Sequence, residues 1–401
     1  MMKLLVIFFL GANLTLTEVV NGVMERLEKQ LGFLVEQTDK ARSEGKNPRL
    51  IMPRSLRADG SLNMVNQDDW CSGFFPGTLW QMYRITGHEQ WRHEAARNTA
   101  LLENVKNHSG SHDIGFMIYC SYGNGYELTK DEAYRDVILQ AANTLTKRFN
   151  PTVGCIRSWS WGTDRWKFPV IIDNMMNLEL LYQASLLSDD KRFYDIAFSH
   201  ASHTWENHFR KDNSTYHVVD YDPENGSVRR KMTFQGHHDE SVWSRGHAWA
   251  LYGFTMTFRF THDKKFLRRA QAVADFFFGQ ERLPEDFIPY WDMRDPDIQT
   301  NPTSVPRDAS AAAIMASALY ELAGYSSKKA ARRYRSYADK ILTSLCTKYL
   351  NEPGTAQGFL LKHSVGNKPN NEEVDVPLNY ADYYFLEAIG RAPYKIRNLG
   401  S

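Results

Sequence analysis

Six short polar motifs, each opening an apolar run of helix length, recur along this chain of 401 residues. In order they are DDWCSGFFPG (68–77), HDIGFM (112–117), DNMMN (173–177), SRGHAW (244–249), RDASAAA (307–313) and NYADYY (379–384). Between them lies a second, more polar unit: TGHEQWRHEA (86–95), TKDEAYRDVI (129–138), SDDKRFYDIA (188–197) and THDKKFLRRA (261–270). Each of these starts with Ser or Thr, passes a polar turn and reaches an aromatic: Trp91, Tyr134, Phe193 and Phe266. Four residues on stand Ala95, Ile138, Ala197 and Ala270; eight on, three of the four carry Ala142, Ala201 and Ala274. Spacing by four keeps them on one helical face, and the polar residue before each helix is an N-cap candidate. A looser fifth copy, SSKKAARRYRSYADKIL (326–342), has Tyr334, Ala338 and Leu342 in register. The sixth apolar helix, YADYYFLEAIGR, has no outer partner after it; VMERLEKQLGFLVEQT (23–38) supplies one if the array closes.

Six helical hairpins in one array predict an all-α fold, an (α/α)6 toroid, as a single catalytic domain over residues 21–401. Alternating β-branched runs are few, so a large sheet is not expected. If the inner helices run parallel, their N-termini gather at one mouth. Unpaired N–H groups and partial positive charge make such a mouth suitable for an anionic ligand.

Within VIIDNMMNLELL (170–181), Asp173 sits in an apolar run without a nearby Lys or Arg. At a helix start an Asp is ordinarily a cap. Buried without a cation, it is instead a carboxyl with a raised pKa, able to act as a general acid near neutrality. Asp113 opens the preceding inner helix, one hairpin earlier, which would make the two neighbours across the mouth. Two close carboxylates separate each other's pKa values; two independent caps are the plainer reading. His217 (STYHVVDYDPENG), Gln235 (TFQG) and Arg245 (SRGHAW) lie along a long loop entering an inner helix, where site residues concentrate. Arg245 suits a carboxylate ligand bidentately. Trp70, Trp159 and Trp249 stand at or near helix openings, either as core filling or as faces for sugar C–H groups.

Charge is nearly balanced, 48 basic against 47 acidic residues, so no nucleic-acid binder is indicated; VRRK (228–231) and KKAARRYR (328–335) read as solvated faces. The start, MMKLLVIFFLGANLTL, has the length of a signal peptide, far short of the roughly 20 residues of a spanning helix. Residues 1–20 are accordingly expected to be a leader and the protein to be exported, to the periplasm. Four scattered cysteines, Cys71, Cys120, Cys155 and Cys346, form no C-x-x-C and are expected to be free and buried. No H-E-x-x-H spacing occurs, so no metal is implied.

Taken together, DDWCSGFFPGTLW, HDIGFM, IIDNMMNLELL, STYHVVDYDPENG, QGHHDESVWSRGHAWALYGF, PYWD, RDASAAAI and YADYYFLEA resemble glycoside hydrolase family 88, the unsaturated glucuronyl hydrolases, from about residue 65 to 391. The resemblance implies an (α/α)6 barrel without metal or organic cofactor. It also implies hydration of the C4=C5 vinyl ether in a 4,5-unsaturated uronic acid at the non-reducing end of lyase-made oligosaccharides. Asp173 matches the general acid/base and Asp113 the second carboxylate that keeps it in place. His217, Gln235 and Arg245 match contacts to the unsaturated sugar, with His112 placed beside them, and Trp70, Trp159 and Trp249 match its aromatic walls. His247 stands where a Gln is expected. In GFLLKHSVGNKPNNEEVDVP (358–377), Ser364 and Lys368 could meet a sulfate, or the loop is simply solvated. The protein is expected to work as a monomer or weak homo-oligomer. Rival readings are an unsaturated rhamnogalacturonyl hydrolase acting on pectin fragments, an epimerase, for which a second catalytic His is missing, and a non-catalytic carbohydrate binder.

Overall fold

The computed structural model describes residues 14–393; residues 1–13, most of the expected leader, lie outside the described residues. The helices are α1 (Leu16–Glu44), α2 (Phe74–Thr86), α3 (Glu89–Ala100), α4 (Ile114–Ile118), α5 (Asn124–Thr129), α6 (Glu132–Thr146), α7 (Asn174–Ser188), α8 (Lys191–Asn207), α9 (Ser244–Thr261), α10 (Lys264–Phe278), the one-turn α11 (Asp297–Thr300), α12 (Ala309–Tyr325), α13 (Lys328–Lys348) and α14 (Asn379–Arg391). A π-turn over Tyr119–Gly123 joins α4 to α5, so the pair acts as one inner helix. Every one of the six polar motifs lies at the start of an inner helix.

The inner ring closes. Helix α2 packs on the α4–α5 unit, α4 on α7, α7 on α9, α9 on α12, α12 on α14, and α14 back on α2. The outer layer is α3, α6, α8, α10 and α13, with α1 seated between α13 and α3. Its ties to α3 are the Arg97–Asp39 ion pair at 2.8 Å and the Arg42–Asn98 hydrogen bond at 2.7 Å. Helix α1 begins at Leu16 behind a Thr15–Glu18 capping box, and Leu16, Val19 and Val20 are buried, so the leader boundary drawn at residue 20 falls inside a packed helix.

Inner and outer helices turn over within a few residues. The residue just after the inner helix adopts the left-handed conformation (Gly87, Lys130, Asp189, His262; φ 53–70°). Then Asp131, Asp190 or Asp263 caps the outer helix by accepting its N2 N–H. In α3 the equivalent His88 makes no such bond. The outer stripe faces inward as its spacing of four requires: Ala95, Ile138, Ala142, Ala197, Ala201, Ala270 and Ala274 are all fully buried.

Short antiparallel strands occupy the loops entering the inner helices: β1 (Met52–Leu56) with β2 (Leu62–Val65), β3 (Phe149–Asn150) with β4 (Cys155–Ile156), β5 (Phe168–Ile171), β6 (Val218–Tyr221) and β7 (Val228–Met232) as one sheet, and β8 (Ser364–Asn367) with β9 (Glu372–Val376). All four cysteines are free and buried. No described helix is long and apolar enough to cross a membrane.

A side-chain-to-backbone hydrogen bond joins the second and third inner helices within their packed interface. Asn177, one turn into α7, accepts the Phe116 backbone N–H of α4 at 2.7 Å. The approach is possible because residue 115 is glycine; a Cβ there would lie 2.6 Å from the Asn177 Cα. Gly115→Ala should therefore destabilise the fold by about 1–3 kcal/mol, read as a lower denaturation midpoint, and depress turnover more than a surface Gly→Ala change such as Gly324→Ala.

Candidate active site

The inner helix N-termini surround a cleft of about 450 Å³. Asp113 and Asp173 both line it, as do Trp70, Trp159, Gln235 and Arg245. The loops bring them there by backbone stitching. Ser158 accepts the His112 N–H through its carbonyl at 3.1 Å and the Ile171 N–H through its Oγ at 2.9 Å, tying the opening of α4 to that of α7. Strand β5 pairs with β6 so that Ile171 faces Val218, and the Ile172 N–H donates to the His217 carbonyl at 3.0 Å. His217 is thereby set beside Asp173.

Backbone conformation separates Asp113 and Asp173 from the capping aspartates. The capping aspartates Asp131, Asp190, Asp263 and Asp308 are extended, with ψ between 92 and 117°, and their side chains accept helix N–H groups. Asp173 (φ −56°, ψ −30°) and Asp113 (φ −68°, ψ −2°) occupy the same position in the helical region and cap nothing. A carboxylate caps from the extended region; these two are free for other work. Asp113 instead accepts from the Ser111 hydroxyl and lies 3.2 Å from His112 Nε2.

Asp173 is 9% exposed. Burial pushes its carboxyl up to about 7; Arg245 opposes that rise, and Asp113 adds to it. His217 explains why no cation neutralises it at close range. Its Nδ1 accepts two backbone N–H groups, from Phe234 at 3.1 Å and Gln235 at 3.2 Å. In the neutral ring the proton must then sit on Nε2, which lies 3.6 Å from Asp173 Oδ2. Burial first, then Arg245, keep this imidazole well below its ordinary pKa, so it presents a neutral N–H. Asp173 Oδ2, His217 Nε2, Trp249 Nε1, Arg245 Nε and Asp308 Oδ2 are all buried without a hydrogen-bond partner in the protein. Orphaned polar atoms concentrated in one place mark a functional site.

The other expected residues divide. Arg245 is buried, stacked 4.6 Å from Trp243 and 5.2 Å from Tyr380. It donates to the Val365 and Gly366 carbonyls, with Asp308 3.6 Å away; two of its N–H groups are thus already engaged by β8. Gln235 also donates to the Gly366 carbonyl, at 3.2 Å. Trp70 and Trp159 are walls. Trp249 is wholly buried against Phe116 and Tyr384, a floor under Asp173 and not a wall. His112 is buried and lines the cleft. Ser364 is buried in β8, and Lys368 turns to Asp295 at 3.8 Å and to the Trp291 ring; neither lines the cleft, which the hairpin reaches through Gly366, Asn367 and Glu372. His247 is buried behind the site, bonded to the Val273 carbonyl at 2.9 Å. Sequence reading missed Arg54, Trp161, Phe234 and Tyr380, all in the cleft lining. Trp161 had a signal, the alternation in SWSW (158–161); Arg54 had none, since its partners Glu373 and Asp69 are distant in sequence.

Residues 51–391 match the profile of Glycosyl Hydrolase Family 88. The unsaturated glucuronyl hydrolase of Formosa agariphila is 46% identical over 342 residues, 84% of each chain. The unsaturated chondroitin disaccharide hydrolase of Streptococcus pneumoniae is 29% identical over 387 residues, 95% of this chain and 92% of that one. A crystal structure of an unsaturated glucuronyl hydrolase specific for heparin superposes with a TM-score of 0.85 at 43% identity, covering 93% of this chain and 99% of the other.

A carboxyl whose folded pKa lies above its unfolded value adds stability at low pH and loses it as pH rises through the folded value. Asp173→Asn should therefore be nearly neutral for melting temperature at about pH 4, near the carboxyl's unfolded value. At pH 8.5, where the native residue is a buried anion, it should stabilise by on the order of 1–4 kcal/mol. Equal shifts at both pH values, measured by calorimetry, would contradict the raised pKa.

Proposed function

The chain belongs to glycoside hydrolase family 88, and from that premise we propose that it releases the 4,5-unsaturated uronic acid from the non-reducing end of oligosaccharides that lyases cut from glycosaminoglycans. The observation that carries this reading is Asp173: a carboxyl held at about 7, uncommitted to its helix, at the bottom of the cleft. The vinyl ether needs a proton on C4, and a neutral carboxyl is the group that can give one. Asp173 donates it; positive charge develops on C5 and the ring oxygen. The resulting carboxylate then draws a proton from water as its oxygen bonds to C5, so one water is consumed and Asp173 returns to its starting state. The hemiketal formed at C5 opens, and the remaining sugar departs from C1. Ordinary two-carboxylate attack at the anomeric carbon is not required.

Asp113 supports the protonated state by its like charge. The neutral His217 N–H can hydrogen-bond Asp173 as it ionises without fixing it as an anion beforehand. Arg245 places positive charge where the uronate carboxylate enters, and Trp70 and Trp159 offer ring faces to the sugar. The relatives described above carry glucuronyl and chondroitin names, which disfavours the pectin-directed alternative. All of these groups come from one chain, which supports action as a monomer or weak homo-oligomer. The apolar run before residue 14 supports export to the periplasm.

The ultraviolet absorbance of the conjugated double bond should fall when a lyase-made disaccharide is added, and persistence with every such product would remove the reaction. Asp173→Asn should lower kcat by at least about a thousandfold while leaving binding largely intact. Because the acid must be protonated in the free enzyme, kcat/KM should decline as pH rises through about 7.

A further inference from the structure

The residues described above leave one surface beside the cleft unused. Trp161 is 52% exposed and lies flat on Trp159, with ring centroids 4.8 Å apart and planes 10° from parallel. Phe234 packs on both, at 5.4 and 5.9 Å, and all three line the cleft. The inner Trp159 is 8% exposed, so the stack runs from the cleft wall out to solvent.

Past this stack the surface turns basic. The Arg165 guanidinium lies 4.5 Å from the Trp166 ring and 6.0 Å from Phe234. Arg230, on β7, lies 5.7 Å from the same Trp166 ring and donates to the Arg165 carbonyl. Lys167, Arg229 and Lys231 follow on β5 and β7 and the turn before them. Against these stand buried Asp220, which takes Arg229 and sits 4.0 Å from Arg230, and exposed Asp164. Among the described residues no carboxylate lies within ion-pair distance of the Arg165 side chain.

Two simpler explanations exist. Charged residues on an edge strand discourage pairing with other chains, and β7 is such an edge. Single exposed apolar side chains are ordinary. Neither accounts for Arg165, which is on a loop, nor for an indole presented flat and parallel on another at the cleft's edge. A flat indole face suits the C–H face of a sugar, and a guanidinium beside it suits a carboxylate or sulfate.

We propose that Trp161 and Arg165, with Phe234 and Arg230, form an outer subsite that holds the acidic sugars on the leaving side of the cleaved linkage, in oligosaccharides longer than a disaccharide. The inference rests on the reaction proposed above and adds a preference for chain length and charge. Its support is the continuity of the aromatic stack with the cleft and the match between a basic shelf and an anionic chain.

The test compares Trp161→Ala and Arg165→Ala with the unaltered enzyme, on the unsaturated disaccharide and tetrasaccharide of whichever glycosaminoglycan that enzyme consumes. For Trp161→Ala, kcat/KM should fall about five- to tenfold further on the tetrasaccharide than on the disaccharide. Arg165→Ala should cost about threefold on the tetrasaccharide, and only that loss should vanish as salt rises. Equal losses on both substrates, or none on the tetrasaccharide, overturn the subsite. If the unaltered enzyme consumes no unsaturated disaccharide, the reaction assignment fails, and the shelf is judged by titrating the protein with chondroitin tetrasaccharide. Affinity left intact by Trp161→Ala then overturns it, and affinity lost supports it.

Discussion

The contact between Asn177 and the Phe116 N–H, across the gap that Gly115 leaves, sets the spacing on which the cleft depends. It joins the helix that begins with Asp113 to the one that begins with Asp173. Without that approach the two carboxyl groups would belong to separate walls. The aspartate proposed as the acid and the asparagine that ties its helix to α4 lie on one face of α7, one turn apart.

The electrostatics follow from what surrounds Asp173, and above all from what does not. A cation in direct contact would hold it ionised. Arg245 is near enough to oppose the rise but is shared among the β8 carbonyls and Asp308. The His217 ring nitrogen lies 3.6 Å from Asp173, and two backbone N–H groups keep that ring's lone pair occupied. The ring is left neutral and able only to donate. The site thus stores a proton by denying its holder a counter-ion, and it does so with main-chain geometry from the loop after β7.

Much of the fold was legible because it repeats. Aromatic and small residues spaced by four marked each outer helix, and every one of the predicted inner openings is a helix start in the structure. The early helix closes the outer layer between α13 and α3, as ring closure required. Its start at Leu16 was not legible, because residues 16–20 fall within the expected leader. Of the residues expected from distinctive motifs, Trp70, His112, Asp113, Trp159, Asp173, Gln235 and Arg245 line the cleft. Ser364 and Lys368 were drawn from the hairpin that reaches the cleft, but Ser364 is buried within the protein, and Lys368 finds Asp295.

What sequence alone determined was periodic: six hairpins, the faces they bury, and two aspartates at helix openings one hairpin apart. Helical spacing is a local property, and a linear string carries it. Tertiary structure alone decided how those aspartates are held. Capping and non-capping aspartates alike stand before apolar helices; they differ by a backbone angle. The same holds for the proton on His217, settled by two amides seventeen and eighteen residues away, and for Trp161, whose exposure depends on which ring it lies upon.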